Sequence, residues 1–296
     1  MYETAPQATR RPDKTDFSQS SVDADTPDLI AVDIDGTIVD YQEKEFTEPS
    51  LDTIAALRKA YDAGIPVAIV TGRPTWGAAR VAHQLDLPEA FVSASHGAVE
   101  YQLSERRISH AESMDPKLAV DTFRSVHSKV EFAFEWDLKG WYHTSGFARD
   151  FAAHWAEVKP LRELTARSAA RMVARVPSKH HYQAGQRCPE ALRLAEAAQL
   201  SEQHYYVEPG YNGWVDVSPA GMTKATGLAR IADHYGVSAN RVAVFGDAHN
   251  DLPMFEWAGY AIAMGQADES VKAVADEVTL PVADNGVASV IHRWLK

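Results

Sequence analysis

Four groups of polar residues in this chain have side chains suited to moving a phosphoryl group. Carboxylates can serve as nucleophile, proton donor and metal ligands, while a hydroxyl and an ammonium group can hold phosphoryl oxygens. In chain order the groups occupy residues 33–37, 71–73, 224 and 246–251. Each follows an apolar run or opens a predicted helix, and such positions are where α/β proteins place their ligand sites.

Asp33 and Asp35 are two carboxylates, two positions apart, at the end of the apolar run 29–32. One can attack phosphorus while the other handles protons, because like charges held close together raise the pKa of one of them. An Asp-Gly turn is the alternative interpretation. An unpaired charge at the end of a buried strand is unfavourable, so the pair favours the chemical interpretation.

Asp247 follows the apolar run 242–245 and can join Asp33 in holding a hard cation. Mg²⁺ takes one or two carboxylates together with water and phosphate oxygens. Asn250 either caps the following helix or contacts a ligand. Asp251 either offsets the dipole of that helix or supports the metal ligands.

Thr71, Gly72 and Arg73 form the second group, and Lys224 stands alone as the third. By itself, Thr71 would predict a turn or a helix cap. Lys224 lies in the first turn of a predicted helix, where the helix dipole disfavours a cation. We therefore expect it to neutralise Asp33 or a phosphoryl oxygen. Gly72 and Arg73 are assigned to substrate contact or to its support, and a solvated arginine is the alternative.

The apolar runs before these groups predict the strands that must position them. Residues 29–32, 65–70 and 242–245 are short, β-prone runs without alternation, as in strands buried on both faces. Helical patterns of apolar residues lie between such runs. This alternation predicts an α/β fold with a Rossmann-like parallel sheet and right-handed crossovers.

The middle of the chain has a different pattern. Helices next to two strand pairs indicate an α+β module inserted into the core. We therefore divide the chain into a disordered tail (1–27), a first core segment (28–110), an inserted α+β cap (111–212) and a second core segment (213–296). The aromatic residues of the insert are expected mainly to build its own core. They are Phe132, Phe134, Trp136, Trp141, Tyr142, Phe147, Phe151 and Trp155.

The overall composition argues against several partner classes. There are 29 Lys and Arg against 41 Asp and Glu, a formal net charge of −12 that disfavours general nucleic-acid binding. No apolar run approaches the roughly 18 residues needed to cross a bilayer, so no membrane is expected. The single cysteine, Cys188, fits a reducing cytoplasm. His180 and His181 lack a third ligand at suitable spacing and are expected in a surface loop.

Together the four groups resemble the motifs of the haloacid dehalogenase-like (HAD) superfamily, and within it the Cof-like phosphatases of type IIB with a C2B cap. Residues 33–37 are similar to the first motif, 71–73 to the second, Lys224 to the third and 246–251 to the fourth. Two later stretches, 263–267 and 285–287, are also similar to the Cof-like pattern. The resemblance covers the chain from about residue 29 to its end.

The resemblance implies a mechanism as well as a fold. Asp33 is implied to attack phosphorus and form an aspartyl phosphate, and Asp35 to protonate the leaving group and then activate water. Thr71 and Lys224 are implied to hold the transferring oxygens. Asp33, the backbone carbonyl of Asp35 and Asp247 are implied to hold Mg²⁺. The expected partner is a small phosphorylated metabolite, such as a sugar phosphate.

Two positions depart from the family pattern. The chain has Ser95-His96-Gly97 where the family often has Asn-Gly after its third strand. It has Gln266 where the family usually has asparagine. No chemistry is assigned to either His96 or Gln266.

Two other functions stay open beside a phosphatase. One is a phosphosugar mutase, since phosphomannomutases resemble the same branch of the superfamily, and release of free phosphate separates the two activities. The other is a non-catalytic sensor of phosphorylated metabolites. A binding-only protein has no need for Asp35, so its presence argues against a sensor.

Overall fold

The structure, a computed structural model, describes residues 26–40, 48–147, 155–176, 188–210 and 213–296. Within these residues the strands fall into two sheets. In chain order the strands are β1 (Leu29–Val32), β2 (Val67–Val70), β3 (Phe91–Ala94), β4 (Val99–Gln102), β5 (Arg107–Ala111), β6 (Glu131–Glu135), β7 (Trp141–His143), β8 (Ala156–Val158), β9 (Arg171–Arg175), β10 (Tyr205–Pro209), β11 (Trp214–Pro219), β12 (Val242–Gly246), β13 (Tyr260–Ala263) and β14 (Glu277–Val278).

The helices lie mostly between strands of the same sheet. In chain order they are α1 (Leu51–Asp62), α2 (Thr75–Gln84), α3 (Lys117–Val126), α4 (Leu161–Leu164), α5 (Pro189–Ala198), α6 (Lys224–Tyr235), α7 (Leu252–Trp257), α8 (Glu269–Lys272) and α9 (Gly286–Trp294). None of those in the described part of the chain is long and apolar enough to cross a bilayer.

The first sheet has eight strands in the order β14-β13-β12-β1-β2-β3-β4-β5. Its strands are parallel from β14 to β3, whereas β4 and β5 are antiparallel additions at one edge. Helices α1, α2 and α9 pack on one face, and α6, α7 and α8 on the other. Because both faces are covered, all four residues of β1 are buried, which explains its continuous apolar sequence. The predicted α/β architecture is thereby confirmed.

The order of the central strands brings three of the polar groups together. β1 lies between β12 and β2, and all three run parallel. Their carboxyl ends meet at one edge of the sheet, and Asp33, Thr71 and Asp247 directly follow these ends. This edge, at the point where the strand order changes direction, is where open α/β sheets bind ligands.

The second sheet has six strands in the order β10-β11-β9-β6-β7-β8, and the chain segment that forms it lies between β5 and α6. Helices α3 and α5 pack against it through an apolar cluster that includes Phe123, Phe132 and Phe134. Trp141 and Phe147 are buried in a smaller cluster, whereas Trp155 is 40% exposed. We refer below to this sheet and its helices as the insert.

The insert extends past the predicted limit at residue 212. The strand β11 pairs with both β10 and β9, so its residues belong to this sheet and not to the second core segment. The sequence patterns do not predict the strand β9, and they do not predict β4, β5, β8 or β14 either. Both ends of β9 carry arginine, and the charges of Arg171 and Arg175 hide its short apolar centre.

The end of the predicted tail lies against the core. Arg241 donates from Nη2 to the carbonyl of Thr26 at 2.6 Å, and Pro27 is buried. The rest of the predicted tail lies outside the described residues, as do His180, His181 and Phe151. Cys188 is buried and precedes α5.

Candidate active site

Lys224 joins two buried carboxylates at the edge of the core sheet. Its Nζ lies 2.9 Å from Oδ1 of Asp33 and 2.6 Å from Oδ1 of Asp251. The lysine opens α6 and is 1% exposed. Burial alone would lower the pKa of Lys224, but the carboxylates of Asp251 and Asp33 raise it above its ordinary value. The ammonium therefore stays charged in a position that the helix dipole alone would disfavour.

Asp33 directly follows β1 and is 4% exposed. Burial raises the pKa of its carboxyl from 3.8 to about 7, with Asp251 and Asp35 adding to the rise and Lys224 opposing it. A carboxylate that is poorly hydrated and close to other negative charges is well suited to attack an electrophile or to bind a cation.

Asp33, Asp247 and Asp251 form a compact carboxylate cluster. One oxygen from each lies within 4.8 Å of the others, and all three residues are buried. Such a set of hard oxygen donors fits a divalent cation of the Mg²⁺ type. The charge of Lys224 offsets only part of the negative charge of the cluster, which further favours a cation there.

Asp251 supports this cluster through its backbone contacts. Its Oδ2 accepts from the backbone N–H groups of Asp247 and Ala248, each at 2.9 Å, while its Oδ1 faces Lys224. Both oxygens are thus engaged with the protein. Asp251 therefore fixes the loop after β12, and Asp33 and Asp247 are the stronger candidates for direct contact with a metal ion.

Asn250 does not cap a helix. It lies inside a single 3-10 turn, His249–Asp251, which Ala248 precedes. The helix α7 begins afterwards at Leu252, with Asp251 in the flanking position. The capping alternative for Asn250 was therefore wrong, because the chain turns once before the helix starts.

Asp35 and Arg73 form a two-point ion pair at the mouth of the site. Arg73 donates from Nε to Oδ2 of Asp35 at 2.7 Å and from Nη2 to Oδ1 at 2.6 Å. The backbone N–H of Arg73 donates to Oγ1 of Thr71 at 3.1 Å. The sequence left Arg73 between phosphate binding and solvation, whereas the structure gives it a carboxylate partner. The planar guanidinium fixes the orientation of the Asp35 carboxylate.

Thr71 is 1% exposed, and its backbone is fixed by β3 and by the loop that follows β3. Its N–H donates to the carbonyl of Ser93 at 2.8 Å, and its carbonyl accepts from the N–H of His96 at 3.2 Å.

A Cβ on Gly72 would lie 2.6 Å from Cε1 of His96, so only glycine fits beside this ring. His96 has a φ of 57°, a left-handed conformation in which asparagine, the usual family residue, is also favoured.

Gln266 ties two loops together. It donates from Nε2 to the carbonyl of Gly36 at 2.5 Å and accepts at Oε1 from the N–H of Val282 at 3.0 Å. It therefore holds the loop that follows Asp33, and this contact accounts for a polar residue at a position to which the sequence assigned no chemistry.

Three charged residues of the insert reach the site and were missed by sequence reasoning. Glu135, Arg171 and Asp216 lie in β6, β9 and β11 and are at most 7% exposed. Arg171 donates from Nε to Oδ1 of Asp216 at 2.6 Å and from Nη1 to the carbonyl of Gly72 at 2.6 Å. Burial would raise the pKa of Asp216, but Arg171 and His96 bring it below its ordinary value. The sequence signal that could have identified these three residues is a charged residue within an otherwise apolar strand.

Residues 30–291 match the model of a protein family described as haloacid dehalogenase-like hydrolase. The chain belongs to this family. The match includes all four polar groups and both sheets. The family and the fold that the sequence motifs implied are therefore confirmed.

Two relatives that align with this chain over nearly their whole length are phosphatases. The chain is 28% identical to the 5-amino-6-(5-phospho-D-ribitylamino)uracil phosphatase YitU of Bacillus subtilis, an alignment covering 90% of this chain and 97% of YitU. It is 26% identical to the pyridoxal phosphate phosphatase YbhA of Escherichia coli, covering 91% and 99%. The structure of the HAD subclass IIB sugar phosphatase BT4131 has the same fold, with a TM-score of 0.72, 22% identity and coverage of 90% and 98%. The predicted enzyme class, a HAD-type phosphatase of the Cof-like type, is confirmed.

Proposed function

We propose that this protein is a Mg²⁺-dependent phosphatase that hydrolyses a small phosphorylated metabolite through an aspartyl phosphate on Asp33. The observation that carries the proposal is the buried contact of Asp33 with Lys224, beside the carboxylates of Asp247 and Asp251. An anionic nucleophile can approach an anionic phosphate only where positive charge surrounds the reacting oxygens. Lys224 supplies one such charge.

In the proposed first step, a carboxylate oxygen of Asp33 attacks phosphorus. The bond between phosphorus and the leaving oxygen breaks, and Asp35, which carries a proton at this stage, transfers that proton to the leaving oxygen and becomes a carboxylate. Thr71 and Lys224 hold phosphoryl oxygens. Asp33, the backbone carbonyl of Asp35 and Asp247 would hold Mg²⁺, which supplies further positive charge beside these oxygens.

In the proposed second step, Asp35 acts as a base. It takes a proton from a water molecule, whose oxygen attacks phosphorus and displaces the Asp33 carboxylate. Free phosphate is released, and both aspartates return to their initial forms. Arg73 supports both steps because its two hydrogen bonds fix the direction in which the Asp35 carboxylate points.

The insert is proposed to act as a cap over this site. Its contacts with the loop after β2, through Arg171 and Glu135, support an arrangement in which it covers the reacting centre. A covered site excludes bulk water, and a small substrate reaches such a site more easily than a large one. A small phosphorylated metabolite, such as a sugar phosphate, fits this description, and the names of YitU and YbhA give small phosphorylated compounds as their substrates. The one cysteine in the chain supports a cytoplasmic location.

The test is release of inorganic phosphate from a panel of sugar phosphates and other small phosphate monoesters in the presence of Mg²⁺. The parent protein is expected to release phosphate from at least one of them, and EDTA or Asp33→Asn to abolish the release. The control is Asp233→Asn, which changes an exposed carboxylate on the helix that carries Lys224. Phosphate moved within a sugar without release would indicate a mutase, and binding without any turnover would indicate a sensor.

A further inference from the structure

Two charged residues of the insert meet the core beside the second motif. Glu135 ends β6 and Arg171 begins β9, and the two are paired in register across these antiparallel strands. Glu135 is 0% exposed and Arg171 is 4% exposed. Both side chains are thus removed from water where the insert touches the core.

Glu135 caps a helix of the core. Its Oε1 accepts from the backbone N–H of Thr75 at 3.2 Å and from the hydroxyl of Thr75 at 3.3 Å, while its Oε2 accepts from the hydroxyl of Ser95 at 2.5 Å. Thr75 opens α2, and the preceding residue, Pro74, makes no side-chain capping hydrogen bond. A carboxylate at this end of the helix accepts from an N–H group that has no partner within the helix. Its negative charge also interacts favourably with the helix dipole.

Arg171 holds the other side of the same loop. Its Nη1 donates to the carbonyl of Gly72, and its Nε donates to Asp216, both at 2.6 Å. Its guanidinium carbon lies 5.3 Å from the centre of the Trp141 ring. The guanidinium of Arg171 is planar and rigid, and its contacts with Asp216 and Trp141 fix its position. The hydrogen bond from Arg171 therefore also fixes the position of the Gly72 carbonyl.

Arg73 lies between these two contacts. Its carbonyl accepts from the N–H of Ser95 at 2.8 Å, and Glu135 in turn holds the hydroxyl of Ser95. The preceding carbonyl belongs to Gly72, which Arg171 holds. The backbone of Arg73 is therefore fixed from both sides by the insert, while its side chain makes the two-point contact with Asp35.

The energetics of Glu135 argue for a role beyond stability. Burial raises the pKa of the Glu135 carboxyl, and the contacts with Ser95, Arg171 and Thr75 offset only part of that rise. A buried carboxylate of this kind contributes little net stability compared with a well-packed apolar residue. What it does provide is a fixed geometry at the loop between residues 71 and 75.

We propose that Glu135 and Arg171 are positioning residues for Asp35, acting through the loop of residues 71–75 and the side chain of Arg73. Docking of the insert thereby sets the geometry of proton transfer in addition to covering the site. The inference rests on the proposed role of Asp35 as the acid that protonates the leaving group.

The dependence of the rate on the leaving group tests this proposal. The probes are p-nitrophenyl phosphate, whose leaving group needs little protonation, and glycerol 2-phosphate, whose leaving group needs a proton. Single-turnover release of each leaving group is measured in the presence of Mg²⁺. A displaced acid slows the second probe more than the first, and we expect Glu135→Gln to increase the ratio of the two rates roughly tenfold. The ratio does not depend on the fraction of folded protein, so loss of stability alone leaves it unchanged.

Two comparisons make the result specific. Glu131→Gln is the matched control, because Glu131 lies on the same strand and accepts from the N–H of Gly146 within the insert. It should leave the ratio unchanged. Asp35→Asn should increase the ratio at least as much as Glu135→Gln, and the double variant should increase it no further than Asp35→Asn alone. Arg171→Lys keeps the positive charge but loses the planar set of N–H donors, so it should also increase the ratio.

The outcomes separate the positioning role of Glu135 from the role of Asp35 as the acid. If Asp35→Asn increases the ratio and Glu135→Gln does not, the positioning role is wrong while the acid role stands. If the effects of Asp35→Asn and Glu135→Gln multiply in the double variant, Glu135 does not act through Asp35. If Asp35→Asn itself leaves the ratio unchanged, the role of Asp35 in the proposed function is wrong.

Discussion

Oδ1 of Asp251 lies 2.6 Å from Nζ of Lys224, and neither side chain is more than 1% exposed. The lysine opens a helix on one side of the site, while the aspartate belongs to the loop after β12 on the other. Their contact therefore connects two segments that the sequence separates widely. It also fixes the position of the Lys224 ammonium group beside Asp33, the proposed nucleophile.

Removing the charge of Asp251 should destabilise the protein. In Asp251→Asn, Lys224 loses its shorter carboxylate contact and the loop amides lose a charged acceptor. Breaking one partner of a buried pair costs about 3 kcal/mol or more. The free energy of unfolding, measured with urea, should fall by this amount, whereas the exposed change Asp233→Asn should alter it by less than about 0.5 kcal/mol. Equal stability of both variants would show that the buried contact contributes nothing.

Asp33, the proposed nucleophile, should also affect how the stability of the protein depends on pH. Burial raises the pKa of Asp33 from 3.8 to about 7, so folding favours its neutral form. Its contribution to stability is thus present below about pH 4 and is lost as the pH rises through about 7. Asparagine stays neutral throughout. In EDTA, Asp33→Asn should be more stable than the parent protein at about pH 8, and the difference should shrink towards pH 4, as followed by urea unfolding at each pH. A difference independent of pH would contradict the raised pKa.

The sequence was sufficient to predict the part of the site that follows directly from the core strands. Asp33, Thr71 and Asp247 each stand at the end of a short apolar run, and parallel strands bring such ends to one edge of a sheet. Because β1 lies between β12 and β2 and all three strands are parallel, the three residues lie at the same edge of the sheet. Local sequence therefore determined their common location once the strands were recognised.

The contacts of Glu135 and Arg171 could not be predicted in the same way. They depend on how the insert docks on the core, and no local pattern encodes the position of one sheet relative to another. Arg73 shows the same limit, because its partner Asp35 lies 38 residues away in the chain. The strand β9 is not predicted for a different reason. Its two arginines interrupt the run of apolar residues on which strand prediction depends.

Gly72 should tolerate no side chain. A Cβ there would lie 2.6 Å from Cε1 of His96, a ring that is 3% exposed. Gly72→Ala should therefore lower the free energy of unfolding by about 1 to 3 kcal/mol, and adding the shorter His96→Asn should recover part of the loss. The matched control is Gly77→Ala, where the nearest atom is 3.8 Å away and a helix favours alanine. Full stability of Gly72→Ala would show that the ring moves freely.

Asp247 should determine the affinity for the metal. The variant Asp247→Asn removes a charged oxygen from the carboxylate cluster without changing the size of the side chain. We expect the Mg²⁺ concentration for half-maximal phosphate release to rise roughly tenfold or more. The exposed variant Asp284→Asn should leave the requirement unchanged. A normal Mg²⁺ requirement in Asp247→Asn would remove this residue from the metal site.

Substitution of Asp33 and substitution of Asp35 should impair different steps of the reaction. Asp33→Asn should be almost inactive, because an amide is a very weak nucleophile towards phosphorus. Asp35→Asn should still transfer the phosphoryl group of an aryl phosphate, since that leaving group needs little protonation. Its second step lacks a base for water, so the phosphoenzyme should accumulate.

Rapid mixing of Asp35→Asn with p-nitrophenyl phosphate should give a burst of up to one equivalent of phenolate, followed by slow turnover. Glycerol 2-phosphate, with its poor leaving group, should give slow turnover without a burst. Mass spectrometry of the quenched variant should locate the added phosphoryl group on Asp33, and Asp33→Asn treated in the same way should carry none. A phosphoryl group on any other residue would refute Asp33 as the nucleophile. A missing burst is compatible with this role only if single-turnover measurements show that the first step itself has become slow, because no phosphoenzyme can then build up ahead of its hydrolysis.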